Sequence, residues 1–179
     1  LPVLPRYVED VLDGGGIEVG LVVGAFAVSA AIVRPTVGRW GDVYGRRALA
    51  VGGALIAAAS IIPLGRAEAV WFLVLLRLAT GLGEAGFFIG AATAAQDLAP
   101  VHRRGEAASF FSIAIYGGLA LGPVVGETLY HRWGPDANWA LAAGACVLAT
   151  VLSTFIPADL GRVPDPPPRR GILHPAAVL

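Results

Sequence analysis

The 179-residue sequence contains no methionine and no lysine, so all 13 of its lysine-plus-arginine positions are arginine. With no Met at position 1, the chain is expected to be a piece of a longer product. Its opening, Leu1-Pro2-Val3-Leu4-Pro5, has no charged stretch leading into an apolar one, so a signal peptide is not the expected reading of these residues. One cysteine, Cys146, precludes a disulfide within the chain and, lying in an apolar run, reads as a small packing residue. Charged residues are also scarce, 15% where a soluble domain carries about a quarter. His102, His131 and His174 stand apart without metal-ligand spacing, so no metal site is indicated. No G-x-x-x-x-G-K-[ST] loop is present and no nucleophile–base set stands out, which leaves an ATP-driven module and a hydrolase without support.

What the sequence has is apolar length. Hydrophobic residues make up 56% of it, and the mean hydropathy is +0.69. A helix needs about 20 mostly apolar residues to cross the hydrocarbon core of a bilayer. Five segments approach that, at about 17–35, 48–64, 70–98, 107–129 and 137–156. Lipid offers the backbone no hydrogen-bond partner, so each must be helical. Alternating strand patterns are absent, which argues against a membrane barrel. The expected class is an all-α polytopic membrane protein, with residues 1–157 forming a transmembrane bundle. The stretch 158–171 is Pro- and Arg-rich, and Pro166-Pro167-Pro168 cannot continue a helix, so it reads as a linker. Residues 172–179 turn apolar again, as if a further span began there.

Arginine placement orients the bundle. Arg34, Arg39, Arg46, Arg47, Arg103, Arg104, Arg162, Arg169 and Arg170 fall on one side, and only Arg6, Arg66 and Arg132 on the other. Short loops rich in arginine stay cytoplasmic. The N-terminal end of the chain is therefore expected outside and the C-terminal tail inside.

Between the first two apolar runs lies Gly38-Arg39-Trp40-Gly41-Asp42-Val43-Tyr44-Gly45-Arg46-Arg47, a charged, glycine-punctuated loop. It resembles the loop between the second and third helices of the major facilitator superfamily, G-x-x-x-D-x-x-G-R-[KR], matching it at Gly38, Asp42, Gly45, Arg46 and Arg47. Leu73-Val74-Leu75-Leu76-Arg77-Leu78-Ala79-Thr80-Gly81-Leu82-Gly83 is similar to that family's fourth-helix motif R-x-x-q-G-x-g, with Thr80 in place of glutamine. Gly118-Leu119-Ala120-Leu121-Gly122-Pro123-Val124-Val125-Gly126 is similar to the fifth-helix motif g-x-x-x-G-P-x-x-G-G, with Glu127 replacing the last glycine. The resemblance implies most of the N-terminal six-helix half of a transporter, with one helix preceding the first span. The fifth-helix motif is associated with branches that export drugs or metabolites in exchange for protons.

Physical roles for these residues stand beside the resemblance. Gly38 and Gly45 permit backbone conformations or approaches that a side chain blocks. Asp42 lies just before the second span, where a carboxylate is favoured by the positive helix end. The family reading makes Asp42, Arg46 and Arg47 a charge network that latches one conformation, with Asp97 as partner for Arg46 or Arg47. The alternative is that such charges only anchor loops to headgroups, the reading taken for Arg39, Arg103 and Arg104.

Arg77 lies about 12 Å along its helix from Ala69, too deep to snorkel easily. An arginine at such depth is costly unless it faces water or an acid. Glu84 follows at i+7, on nearly the same face and about 10 Å away. Arg77, Thr80, Gly81 and Glu84 are the candidates for proton coupling or the solute cavity, Arg77 acting indirectly because arginine keeps its proton. Gly86 with Gly90, and Gly118 with Gly122 and Gly126, form small-residue faces on which helices meet closely, and Pro123 is expected to bend its helix. Trp40, Trp71, Trp133 and Trp139 fit an interfacial belt.

The expected function is secondary transport, with proton-coupled export of a small organic solute or drug ahead of sugar or organic-acid symport or uniport. A non-transporting membrane receptor or scaffold is the reading of another class. The expected partners are a small solute, protons and the bilayer of the cell membrane. No cofactor, nucleic acid, enzymatic activity or obligate protein partner is indicated.

Overall fold

In the computed structural model, which describes residues 4–161, the chain is a bundle of helices with no strand among the described residues. Its α-helices are α1 (Leu4–Leu12), α2 (Gly16–Tyr44), α3 (Arg46–Ile61), α4 (Val70–Leu98) and α5 (Arg104–Ser153). A 3₁₀ segment, Ile62–Arg66, extends α3, and another, Val101–Arg103, leads into α5. Four of these elements are long and apolar enough to cross a membrane: α2, α3 with its extension, α4 and α5.

Three boundaries differ from those expected. The segment 17–35 belongs to a helix that continues through Pro35 to Tyr44. A proline removes one N–H but, in lipid, leaving the helix would free many more polar groups than continuing it. The charged stretch 38–47 is likewise not a loop. It is helical up to Tyr44 and again from Arg46, with Gly45 alone between them at φ 90°. The segments 107–129 and 137–156 likewise lie on one continuous run, α5, broken only at Gly134 (φ 75°), and Pro135 follows at once. The two limbs of α5 are in effect two helices joined by a one-residue hinge.

The short helix α1 was not expected. Its Leu4, Tyr7 and Val8 are buried with Val22, Ile61, Leu64, Ala67, Leu73 and Trp139 in the apolar cluster that closes the Gly134 end of the bundle. Trp139 stacks edge-on against Tyr7 with ring centroids 5.5 Å apart. It is 4% exposed, which removes it from the expected belt, while Trp40, Trp71 and Trp133 face outward. The linker reading for 158–171 beyond residue 161, and the further span at 172–179, fall outside the described residues.

The densest contact is between α3 and α4, followed by α2 on α4. Small residues make the first possible. A Cβ on Gly53 would strike the Phe87 amide and lie 2.6 Å from the Gly83 carbonyl, and one on Gly83 would lie 2.6 Å from the Ala57 nitrogen. Gly90 faces Ala50 at 2.7 Å in the same sense, and Gly86 faces Gly53 at 3.2 Å. The backbones of α3 and α4 thus touch along a glycine–alanine seam, the arrangement that close van der Waals packing favours between lipid-embedded helices. By contrast, Gly118 and Gly122 on α5 have open space where a Cβ would go, and only Gly126 of that expected series is buried.

Candidate functional site

The positive φ at Gly45 turns the chain sharply enough to set the start of α3 beside the end of α2. This brings Arg46 back over Asp42, four residues earlier. The Arg46 Nη1 donates to the Asp42 carboxylate at 2.8 Å, and its Nε donates to Asp97, at the end of α4, at 3.1 Å. One guanidinium therefore ties three helix ends together. Gly41 makes room for it, since a Cβ there would lie 2.9 Å from the Arg46 Nη1. Arg47 points elsewhere, lining a cleft with Ala48, Val51, Thr154 and Ala158. Gly38 has nothing within 4 Å of a Cβ position, so close packing gives no reason for its lacking a side chain.

A second group of candidates lies midway along the bundle. Arg77, Thr80 and Glu84 line a cavity of about 370 Å³ with Phe26 of α2, Ala54, Ala57 and Ile61 of α3, Phe87, and Ala145, Cys146 and Ala149 of the second limb of α5. Arg77 is 8% exposed and its guanidinium carbon sits over the Phe26 ring. Among the described residues Arg77 and Glu84 form no ion pair with each other or with any other group. The Arg77 Nε and the Glu84 Oε2 are both buried without a hydrogen-bond partner among the described residues. Thr80 donates to the Leu76 carbonyl at 2.7 Å and shares a 3.0 Å hydrogen bond with Ser60 of α3. Gly81 faces α2, where a Cβ would strike the Ser29 hydroxyl and the Phe26 carbonyl, so its place is in helix packing beside the cavity.

The family model of the Major Facilitator Superfamily matches residues 1–178. The chain belongs to that superfamily. It is similar to multidrug resistance protein 1 of Bacillus subtilis, 30% identical over 167 residues that cover 92% of this chain and 42% of the relative. Multidrug resistance protein 2 of the same bacterium is 31% identical over 157 residues, covering 87% and 38%. Protein spinster homolog 1 of Bos taurus is 36% identical over 156 residues, covering 84% and 29%. The chain thus spans less than half the length of these relatives. It is a membrane protein of a transporter family rather than an enzyme.

In this facilitator chain the residues of the three motifs fall into separate places. Asp42, Arg46 and Asp97 meet at the Gly45 end, Arg77, Thr80 and Glu84 share the cavity, and Gly118, Gly122 and Pro123 lie on an uncovered face of α5. Glu127, in place of the motif's last glycine, accepts a hydrogen bond from the Arg6 Nη1 at 2.6 Å and lies 3.0 Å from the His131 Nε2. Tyr130 donates to Asp10 at 3.4 Å, a second link between α1 and α5. Burial and the nearby carboxylates of Asp136 and Glu68 push the Tyr7 phenol above its ordinary value, which keeps it a neutral donor toward the Gly65 and Ala67 carbonyls. Sequence reasoning missed Phe26 and Ser60. A signal existed for Ser60 alone, a hydroxyl inside an apolar run that needs a partner in lipid.

Proposed function

We propose that the complete protein is a secondary transporter that exports a small organic solute in exchange for protons across the cell membrane, with the Gly45 end of the bundle cytoplasmic. The observation that carries this is that Arg77 and Glu84, whose Nε and Oε2 have no hydrogen-bond partner among the described residues, line one cavity within helices of membrane-spanning length. Buried polar groups are nearly always satisfied, so two such side chains lining one cavity point to what enters it, water, a proton or a solute. Glu84 is the proton carrier in this reading and Arg77 a fixed cation that holds water and biases the carboxyl electrostatically. The apolar wall, with Phe26, Phe87 and five alanine and isoleucine side chains named above, suits an amphipathic organic molecule. The names of the bacterial relatives, multidrug resistance proteins, support export.

Asp42, Arg46 and Asp97 act as the latch that holds one of two arrangements of the helix ends. The arginine excess on this side of the bundle supports its cytoplasmic placement. The test is reconstitution of the complete protein into liposomes with an imposed proton gradient and a panel of lipophilic fluorescent dyes. Saturable dye movement against the direction of proton flow, abolished by a protonophore, is the expected result. Movement in the same direction as protons replaces antiport with symport, and saturable flux indifferent to the gradient replaces it with uniport.

A further inference from the structure

The chain returns to the latch after α5 ends. Residues 154–161 form a run of turns that closes on the start of α3. There the Arg46 backbone N–H donates to the Leu160 carbonyl at 3.0 Å. That N–H is in the first turn of α3, where no intrahelical carbonyl can accept it. Gly161 follows at φ 70°, a conformation that side chains disfavour. A Cβ on Gly161 would collide with the Arg46 Nε and lie 2.8 Å from its Cγ and 2.9 Å from its Cδ. Beside this contact, Thr154 and Ala158 share a cleft with Arg47, Ala48 and Val51 of α3.

We infer that Leu160 and Gly161 are positioning residues of the latch: the segment after α5 covers Arg46 and holds its guanidinium between Asp42 and Asp97. The inference rests on the latch reading above. Arg46 is gripped from four directions. Asp42 and Asp97 take two of its three donor nitrogens, Gly41 lies behind Nη1, and Gly161 lies against the side-chain stem and Nε. A guanidinium with its stem pinned loses less freedom on making each ion pair, which favours its bridging of the two carboxylates over water. The same contact links the latch to the C-terminal limb of α5. A movement of that limb pulls on Leu160 and Gly161, and through them on Arg46. The limb also carries Ala145, Cys146 and Ala149 of the cavity wall, so cavity and latch share one element.

The experiment is a double-mutant cycle in the complete protein between Arg46→Ala and Gly161→Val, with Gly161→Asn as a third variant. Asn accepts positive φ but still carries a Cβ, which separates backbone conformation from collision with Arg46. Two readouts are taken on protein that is inserted and folded, the initial transport rate and the alkylation rate of Cys146 by a small maleimide, other cysteines being replaced by serine. Gly161→Val and Gly161→Asn should each lower transport about tenfold, the scale of coupling between residues in contact. Both should alter Cys146 alkylation in the same direction as Arg46→Ala. In the Arg46→Ala background neither should add a further change, because the colliding side chain is gone. Wild-type rates in Gly161→Asn, or effects that multiply with those of Arg46→Ala, overturn the inference. If Arg46→Ala and Asp42→Asn themselves leave transport unchanged, the latch reading is the one that fails.

Discussion

The guanidinium carbon of Arg77 on α4 lies 4.4 Å from the centre of the Phe26 ring on α2. In a lipid-embedded bundle this is how a cation without a carboxylate partner is held, by a ring whose face is negative and by the water or solute at its free edge. Arg77→Ala should abolish proton-coupled transport. Arg77→Lys should rescue little of it, since an ammonium cannot lie flat on the ring. Phe26→Leu should lower the initial rate about tenfold, matching the roughly 1–2 kcal/mol of a desolvated cation–π contact. Rates normalised to inserted protein decide the matter, and a fully active Phe26→Leu would make the ring mere packing.

Glu84→Gln keeps the shape of the carboxyl and removes its titration. If Glu84 carries the proton, the variant should show a flat pH profile for transport, with solute binding retained. A full pH profile in Glu84→Gln would move the proton to another residue.

Asp42→Asn should cut transport strongly while leaving membrane insertion intact, because no span loses hydropathy. Arg46 keeps its contact with Asp97 in that variant, so Asp42→Asn combined with Asp97→Asn should be more severe than either alone. Surface labelling measures insertion and dye flux measures activity. Wild-type flux in the correctly inserted double variant would reduce the network to an anchor for the helix ends.

The seam between α3 and α4 sets a contrast in stability. Gly53→Ala puts a methyl into the backbone of Gly83 and Phe87, and should cost about 1–3 kcal/mol, the usual penalty of overpacking. Gly122→Ala meets open space and should fall within about 0.5 kcal/mol of the parent. Thermal unfolding of the detergent-solubilised protein compares the two. Equal melting temperatures would mean that the seam relaxes freely.

Hydropathy located the apolar segments because a bilayer demands length and little else. It failed at their edges for a related reason. Pro35 and residues 38–44 carry the signals that end a helix, yet the helix runs on to Tyr44, so turn chemistry read at face value shortened α2. The partner of Arg46 was legible as far as Asp97, since an acid at the inner end of a span needs a cation. Leu160 and Gly161 were not legible. They contribute a carbonyl and a missing side chain, and neither leaves a mark in a sequence over one hundred residues from Arg46. Arg77 and Glu84 were legible as costly residues at depth on nearly one face, but the fold gives Arg77 a ring, and neither residue forms an ion pair among the described residues. The role of Gly118 and Gly122 could not be read at all from a face that the described chain leaves uncovered.

A single residue, Gly45, separates α2 from α3. That leaves no slack between the two spans. A loop of several residues would let each helix tilt by itself, absorbing the motion in its own torsions. Here a swing of α2 is handed to α3 almost undiminished, and the interlocked backbones of α3 and α4 hand it on. Three spans would then swing like one stiff paddle about its rim, and what bends must lie elsewhere, in the run of turns that follows Ser153.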